Sequence, residues 1–233
     1  MSPLQDYWEE SRSPLTALVL VLPLVMFYNV GLILTEWSAL NGADFVTLAI
    51  IQWLGREGFL WFQASLAVLF LGGILYLKRK RSFSLKFFLP MLAESLFYAL
   101  SMGTVILFVL ERSDMLSVSG PTNQLSPLHI LTISAGAGVH EEFVFRLLLI
   151  PTISIALVKW TGMKENAAGV FAVAISSLVF ALAHYLGPES FSLFTFAYRS
   201  LAGLIFAGLF LFRGFAVAVY THCLYDVYVL TFS

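Results

Sequence analysis

Long apolar runs separated by short polar segments dominate the chain. A helix needs about 20 apolar residues to cross the hydrocarbon core of a bilayer. Seven stretches reach or approach that length, so the pattern predicts an all-α, polytopic membrane helix bundle. The predicted spans are Pro14–Thr35, Phe59–Leu77, Phe87–Leu110, Leu128–Trp160, Ala167–Leu186, Leu193–Phe212 and Phe215–Phe232.

Two stretches depart from this simple pattern. Phe45–Leu54 is apolar but only ten residues long, and at 1.5 Å per residue it extends roughly 15 Å. It is expected to form a re-entrant or interfacial helix, with an eighth crossing as the alternative. Pro151 lies inside the fourth span and is expected to kink it, because proline removes a helical hydrogen bond.

The composition agrees with a membrane protein and excludes other classes. Of the 233 residues, 59% are hydrophobic and 12% are charged, whereas soluble domains carry about 25% charged residues. The net charge of −1 gives no basic excess that would indicate a nucleic-acid partner. The single cysteine, Cys223, excludes an intramolecular disulfide and a cysteine-based metal cluster. We see no internal repeat and treat residues 1–233 as one membrane-embedded domain.

The distribution of basic residues predicts an orientation. Cytoplasmic loops of membrane proteins are enriched in Lys and Arg. With seven spans and the N-terminus inside, the basic loop 78–86 is cytoplasmic, and Arg56 and Arg112 are the basic residues of the outer loops. The inside set is Arg12, Lys78, Arg79, Lys80, Arg81, Lys86, Lys159, Lys164 and Arg213. The expected location is the plasma membrane of a prokaryote.

Ionisable residues within the fourth, fifth and seventh spans predict a functional site. Each Asp, Arg or Lys at the centre of a span costs about 2.5–3.5 kcal/mol on an insertion scale, so such groups are expected to face one another or a wet cavity. Glu94 and Arg199 stand alone in their spans and are expected to be structural. The clustered residues are His140, Glu141, Glu142, Arg146, His184, His222 and Asp226.

Helical spacing divides these groups into pairs and one free carboxylate. Residues i and i+4 share a helix face, so Glu142 can pair with Arg146, and His222 can meet Asp226. Glu141 is rotated by about 100° from its neighbour and keeps a free carboxylate. A free carboxylate beside two histidines in an apolar bundle indicates a general base that activates water.

Three short motifs on these spans resemble a known family. The sequence EEFVFR at 141–146 resembles the EExxxR motif of the CPBP family, which comprises CAAX-prenyl-protease-type and bacteriocin-processing (Abi) intramembrane proteases. FALAH at 180–184 resembles its FxxxH motif, and HCLYD at 222–226 resembles HxxxN or HxxxD. The motifs occur in the family's order within the predicted catalytic helices, residues 128–230.

The resemblance implies a glutamate-dependent intramembrane endopeptidase without a metal or other cofactor. By this analogy Glu141 is the catalytic base, His184 holds the water, and His222 and residue 226 stabilise the oxyanion. Glu142, Arg146 and Phe180 are supporting residues. Residue 226 is Asp, where CAAX proteases have Asn. An ionised Asp cannot donate a hydrogen bond, so Asp226 is either protonated or orients His222.

Alternatives to this prediction remain open. Glu141, His184 and His222 could bind zinc, in which case chelators would inhibit. A bacteriocin-immunity or peptide-sensing protein would need no catalytic Glu141, and a proton-coupled transporter could use the same residues as a relay. The expected partners are the lipid bilayer and a peptide or protein substrate at the membrane, lipidated or not.

Overall fold

The computed structural model describes residues 2–39, 45–80, 84–111, 125–186 and 189–232, and in this part of the chain it contains helices and no β-strand. The loop predicted between the third and fourth spans lies mostly outside the described residues. The helices are α1 Pro3–Ser11, α2 Pro14–Leu34, α3 Phe45–Lys78, α4 Phe88–Glu111, α5 Pro127–Glu142, α6 Ile150–Thr161, α7 Glu165–Ala183, α8 Leu193–Arg213 and α9 Phe215–Phe232.

Seven helical stretches in the described ranges are long and apolar enough to cross a membrane, judged by length and composition. They match the seven predicted spans, with α5 and α6 together forming the fourth. The prediction of a polytopic helical membrane bundle is therefore confirmed. Large apolar side chains cover much of its surface, among them Trp53, Trp61 and Phe97, as expected of a surface that faces lipid.

The short apolar segment before the second span is helical and joins that span directly. Helix α3 runs through both, and its regular geometry is interrupted at Gly55, which has φ 72° and ψ 173°. Residues with a side chain rarely adopt this positive φ, so glycine suits the interruption of the helix at this position. Whether the residues before Gly55 cross the membrane stays a prediction.

The fourth span changes its geometry before Pro151 rather than at it. A π-helical segment, Phe143–Leu149, connects α5 to α6, and Pro151 lies in the first turn of α6. The backbone continues from Leu149 into α6 with helical angles, so Pro151 removes one backbone hydrogen bond without ending the helix. Short π-helical segments are frequent at functional sites, and this one follows Glu141 and Glu142 directly.

Close packing between α5 and α9 brings two motif helices together. A Cβ atom added at Gly138 would lie 2.9 Å from the carbonyl oxygen of Val219 and 3.0 Å from the amide nitrogen of Cys223. Real Cβ atoms essentially never come this close to backbone. The absent side chain therefore lets the helices touch one helical turn before Glu141 and Glu142, beside the turn that carries His222.

A short helix that the sequence analysis missed, α1, packs on the junction between α8 and α9. Its capping box, formed by Ser2 and Gln5, satisfies backbone groups at the N-terminus. The Arg213 guanidinium lies 4.2 Å above the Trp8 ring, and Tyr7 donates a hydrogen bond to Glu94. Burial, together with the hydrogen bond and charge of Glu94, raises the pKa of the Tyr7 phenol, so Tyr7 remains a donor.

Glu94, expected to be a structural charge, has a cationic partner across the bundle. Arg213 donates to it from Nε at 2.5 Å and from Nη2 at 2.8 Å. Tyr98 donates at 2.9 Å to the same carboxylate. This cluster joins α1, α4 and the end of α8, and it lies apart from the motif residues.

Candidate active site

Two side chains hold the Glu142 carboxylate in place. Its Oε1 accepts from Nδ1 of His222 at 2.8 Å, and its Oε2 lies 3.2 Å from Nε of Arg146. The predicted i, i+4 ion pair is therefore present, and a second helix contributes the histidine. All three side chains are buried. Oε1 is hydrogen-bonded, while Oε2 has an ion-pair contact with Arg146 but no hydrogen bond among the described residues. Glu142 is thus held by two neighbours and is suited to fix geometry.

The neighbouring carboxylate, Glu141, is buried but much less engaged. Its Oε2 has no hydrogen-bond partner among the described residues, and the nearest basic side-chain atom is Nε2 of His222, at 3.8 Å. This distance is too long for a direct hydrogen bond. Two atoms 3.8 Å apart can, however, both hydrogen bond one water placed about 2.8 Å from each.

Aromatic rings fix the plane of the His222 imidazole. Phe206 stacks on it with ring centroids 4.2 Å apart and an interplanar angle of 16°, and Phe180 meets it edge-on at 6.0 Å. Because Nδ1 is bound to Glu142, Nε2 points towards the other carboxyl groups, Glu141 at 3.8 Å and Asp226 at 3.6 Å.

Asp226 is the most exposed of the clustered acids, with 23% of its side chain accessible. The 3.6 Å distance between its Oδ2 and His222 Nε2 exceeds the length of a hydrogen bond. The i, i+4 spacing does bring the two side chains to one face of α9, as predicted. The Asp226 carboxyl faces a cavity rather than binding the imidazole.

His184 lies at the end of α7, where the helix tightens into a 3₁₀ turn. Its Nδ1 bonds the carbonyl oxygen of Phe180 at 2.9 Å, which fixes the neutral tautomer with a proton on Nδ1 and a lone pair on Nε2. The Phe180 ring packs edge-on against the imidazole at 4.9 Å. The FxxxH spacing thus orients one ring nitrogen and leaves the other free.

Arg146 is buried among aromatic rings and backbone. Its guanidinium carbon lies 4.5 Å from the Phe180 ring centroid and 5.4 Å from that of Phe206. Its Nη2 donates to the carbonyl oxygen of Gly203 at 3.3 Å. One arginine therefore links the helix of the two glutamates to α7 and α8.

The motif residues meet at one cavity of about 530 Å³. It lies between α5, α7, α8 and α9, and Glu141, His184, His222 and Asp226 all line it. Glu142 and Arg146 lie behind this lining. Apolar and aromatic side chains form most of the remaining wall: Ile133, Ala137, Phe194, Ala202, Phe206, Tyr198, Tyr225, Val229 and Leu230.

Several contacts of the site were not found by sequence reasoning. Phe206, which stacks on His222, is one of 22 phenylalanines in the chain, and nothing in its local sequence separates it from those that face lipid. Arg199, expected to stand alone, is paired with Glu189 at the edge of the cavity. His140, which adjoins the glutamates in sequence, packs instead against Tyr28 with ring centroids 4.9 Å apart.

The arrangement can support general-base chemistry on a peptide bond. An unpartnered carboxylate, two oriented imidazoles and a further carboxyl group face one cavity. In the described ranges no group of three or more His, Cys, Asp or Glu side chains has an arrangement that could hold a metal ion. That the protein needs no cofactor stays a prediction, and the measurement that tests it is whether chelators inhibit cleavage.

Fold and site together define an integral membrane protein with a buried acid–histidine centre. Residues 123–228 match the family model described as Type II CAAX prenyl endopeptidase Rce1-like. This match confirms the resemblance to the CAAX-protease type of the CPBP family, and it covers the helices that carry all three motifs. The family is one of proteases, and therefore of hydrolases. Comparison with curated proteins and with solved structures gives no significant match.

Proposed function

We propose that the protein is an intramembrane endopeptidase in which Glu141 activates a water molecule. The observation that carries this proposal is the unpartnered Oε2 of Glu141, buried beside the cavity and 3.8 Å from His222 Nε2. A buried carboxylate without a partner is costly, and catalysis explains why one is kept. The family match supports the reaction class.

The proposed reaction begins with proton transfer to Glu141. The carboxylate takes a proton from water while the resulting hydroxide attacks the carbonyl carbon of the scissile bond. The negative charge passes to the carbonyl oxygen, which accepts a hydrogen bond from a protonated Asp226 or from Nε2 of a doubly protonated His222, since Nδ1 of that ring already donates to Glu142. Glu141 then returns its proton to the amide nitrogen, the C–N bond breaks, and a carboxylic acid and an amine leave, with Glu141 ionised again. His184, through its free Nε2, orients the water.

The proposed substrate is a peptide or protein at the membrane. The cavity lies within the helices of the bundle, so a substrate held by the bilayer can approach it, and lipidation of the substrate is compatible with the apolar wall. We place the protein in a prokaryotic plasma membrane with the 78–86 loop in the cytoplasm, on the charge distribution given above.

The test compares wild type with Glu141→Gln, which keeps the shape of the side chain but removes the base. Membranes from cells that express each variant are analysed for peptide products by mass spectrometry. General-base catalysis contributes about 10²- to 10⁴-fold, so products that depend on Glu141 should fall at least 100-fold. Glu165→Gln, an exposed glutamate on α7, is the matched control and should leave the products unchanged.

Other outcomes would favour the alternatives. Activity of Glu141→Gln above about a hundredth of wild type contradicts the assignment of the base. Loss of cleavage on treatment with EDTA or phenanthroline, with recovery on adding zinc, would favour a metallopeptidase. A third outcome would favour a peptide-binding protein: wild type releases no product, and Glu141→Gln confers the same immunity or peptide sensing as wild type.

A further inference from the structure

Most basic side chains lie at one end of the helix bundle, which we name the basic end. It contains the connection from α3 to α4 and the turn from α8 to α9, because Arg213 pairs with Glu94 in the second turn of α4. It also contains the turn from α6 to α7, because α7 runs antiparallel to α8. This direction follows from Tyr185, just after α7, which contacts Thr195 in the first turn of α8 at 2.7 Å. The described lysines and arginines of the basic end are Arg12, Lys78, Arg79, Lys80, Lys86, Lys159, Lys164 and Arg213.

The opposite end of the bundle carries few basic groups. The end of α2 meets the start of α5 there through Ser38 and His129, whose Oγ and Nε2 are 2.8 Å apart. Within the described ranges, the arginines of this end are Arg56, which lies over the Trp37 ring, and Arg199 in the second turn of α8. Lysine and arginine near the ends of spans are enriched on the cytoplasmic side of a membrane, so the basic end is expected in the cytoplasm.

The candidate active-site cavity lies in the half of the bundle away from the basic end. Its lining includes Thr195 from the first turn of α8, and Val229 and Leu230 from the last turn of α9, which ends at Phe232. It also includes Glu189 from the connection between α7 and α8. Because 40% of the Glu189 side chain is accessible, this residue marks the opening of the cavity. The opening therefore faces the end of the bundle opposite the basic end.

Packed side chains close the cavity towards the basic end. Arg146 lies behind Glu141 and donates to the carbonyl oxygen of Gly203, which joins the helix of the glutamates to α8. On α9, residues 216–219 are all 0% exposed, and the cavity lining on this helix begins only at His222 among the described residues. A peptide at the basic end therefore has no open path to Glu141 through the described part of the bundle.

We propose that the cavity opens to the extracytoplasmic face of the membrane, and that the peptide cleaved at Glu141 is presented at that face. The charge distribution assigns the basic end to the cytoplasm, and the cavity opens at the other end. The substrate is then the membrane-proximal segment of a protein that is exported or anchored in the outer leaflet, because such a segment stays beside the apolar wall of the cavity. This inference rests on the proposed function and on the orientation proposed with it.

The first experiment measures from which side of the membrane the cavity is reached. Bacterial spheroplasts that express the full chain are treated with a charged methanethiosulfonate, either intact or after permeabilisation. Val229→Cys places a thiol in the cavity lining, and Lys164→Cys places one at the exposed N-cap of α7, at the basic end. Val229→Cys should react equally in both preparations. Lys164→Cys should react only after permeabilisation, because a charged reagent does not readily cross the bilayer.

Three further proteins serve as controls for the labelling. Wild type has one cysteine, the buried Cys223, and gives the background. Val170→Cys, at a position that is 70% exposed on the membrane-spanning helix α7, should react slowly in both preparations, because the reagent attacks thiolates and apolar surroundings keep a thiol protonated. Phe191→Cys, at a position 63% exposed between α7 and α8, should react in intact spheroplasts even if Val229→Cys fails to fold.

The opposite labelling pattern would overturn the proposal. If intact spheroplasts label Lys164→Cys but neither Val229→Cys nor Phe191→Cys, the cavity opens to the cytoplasm.

The second experiment determines where the cleavage sites lie. New peptide termini in membranes of wild-type cells are identified by mass spectrometry and compared with those from Glu141→Gln. Termini that depend on Glu141 should lie in exported segments or at the outer ends of membrane anchors. Glu141-dependent termini in cytoplasmic segments would overturn the proposed sidedness and leave the proposed function intact. The absence of any Glu141-dependent terminus would contradict the proposed function, and the labelling would then decide the sidedness of the cavity alone.

Discussion

Removal of Arg146 tests the electrostatic arrangement behind the site. Arg146→Met keeps an unbranched apolar stem of similar shape and deletes the guanidinium. In the structure this group lies 3.2 Å from Glu142, donates to Gly203 and covers the Phe180 ring. The substitution leaves Glu142 as a buried carboxylate with His222 as its remaining partner.

The expected loss of stability follows from that arrangement. Removing one partner of a buried ion pair typically costs about 3–5 kcal/mol. Because His222 still donates to Glu142 at 2.8 Å, we expect the lower end, about 3 kcal/mol. For a chain of this size, each kcal/mol lowers Tm by roughly 2–4 °C, so Tm should fall by about 6–12 °C.

The assay is thermal unfolding of purified protein in one detergent, compared across four proteins. Arg79→Met, which removes an exposed arginine, is the control and should lie within about 0.5 kcal/mol of wild type. The double variant Glu142→Gln/Arg146→Met removes both charges and should recover most of the loss, because replacing a whole buried pair is often close to neutral.

Two results would refute this reasoning. If Arg146→Met is as thermostable as wild type, the Glu142–Arg146 pair does not hold the site. If the double variant is no more stable than Arg146→Met, the loss comes from packing of the arginine side chain and not from a stranded carboxylate.

Further predictions concern the helix contact and the oxyanion. Gly138→Ala should destabilise the fold by about 1–3 kcal/mol through overpacking, because the new Cβ would meet the backbone of α9. The control Gly169→Ala, where a new Cβ has nothing within 4 Å, should stabilise the fold by up to about 1 kcal/mol. Equal melting temperatures of the two variants would contradict the close contact between α5 and α9. Asp226→Asn should preserve turnover across the pH–rate profile, because Asn donates at every pH and Asp226 lies 3.6 Å from His222 Nε2. A large loss at all pH values would instead favour an ionised Asp226 that orients the imidazole.

The sequence was sufficient to predict the membrane-spanning helices and most of the polar residues that line the cavity. Hydrophobic runs long enough to cross a bilayer have few alternative structures, because every backbone group must find its partner within a helix. Ionisable residues are costly to bury in apolar helices, so those within the spans are expected to contact one another. For this reason Glu142, Arg146 and His222 could be grouped before their contacts were known.

The contacts that depend on packing could not be predicted in this way. The Phe206 ring that stacks on His222 and the pairing of Arg199 with Glu189 depend on how α7, α8 and α9 are rotated against one another. Local periodicity carries no information on such rotations. The π-helical segment was also missed, because Pro151 predicted a kink at its own position, whereas the helix geometry changes in the turn before it. α1 could have been inferred from the SPLQ sequence that forms its capping box.

The contacts between the start and the end of the described chain bear on biosynthesis. The carbonyl oxygen of Leu20 on α2 accepts from the hydroxyl of Tyr220 on α9, and Gly214 lies against the backbone of Ser11 and Arg12. These contacts of α1 and α2 can therefore form only after the start of α9 has been made, some two hundred residues later. A nascent chain that stalls before residue 213 leaves Glu94 without its guanidinium in the membrane.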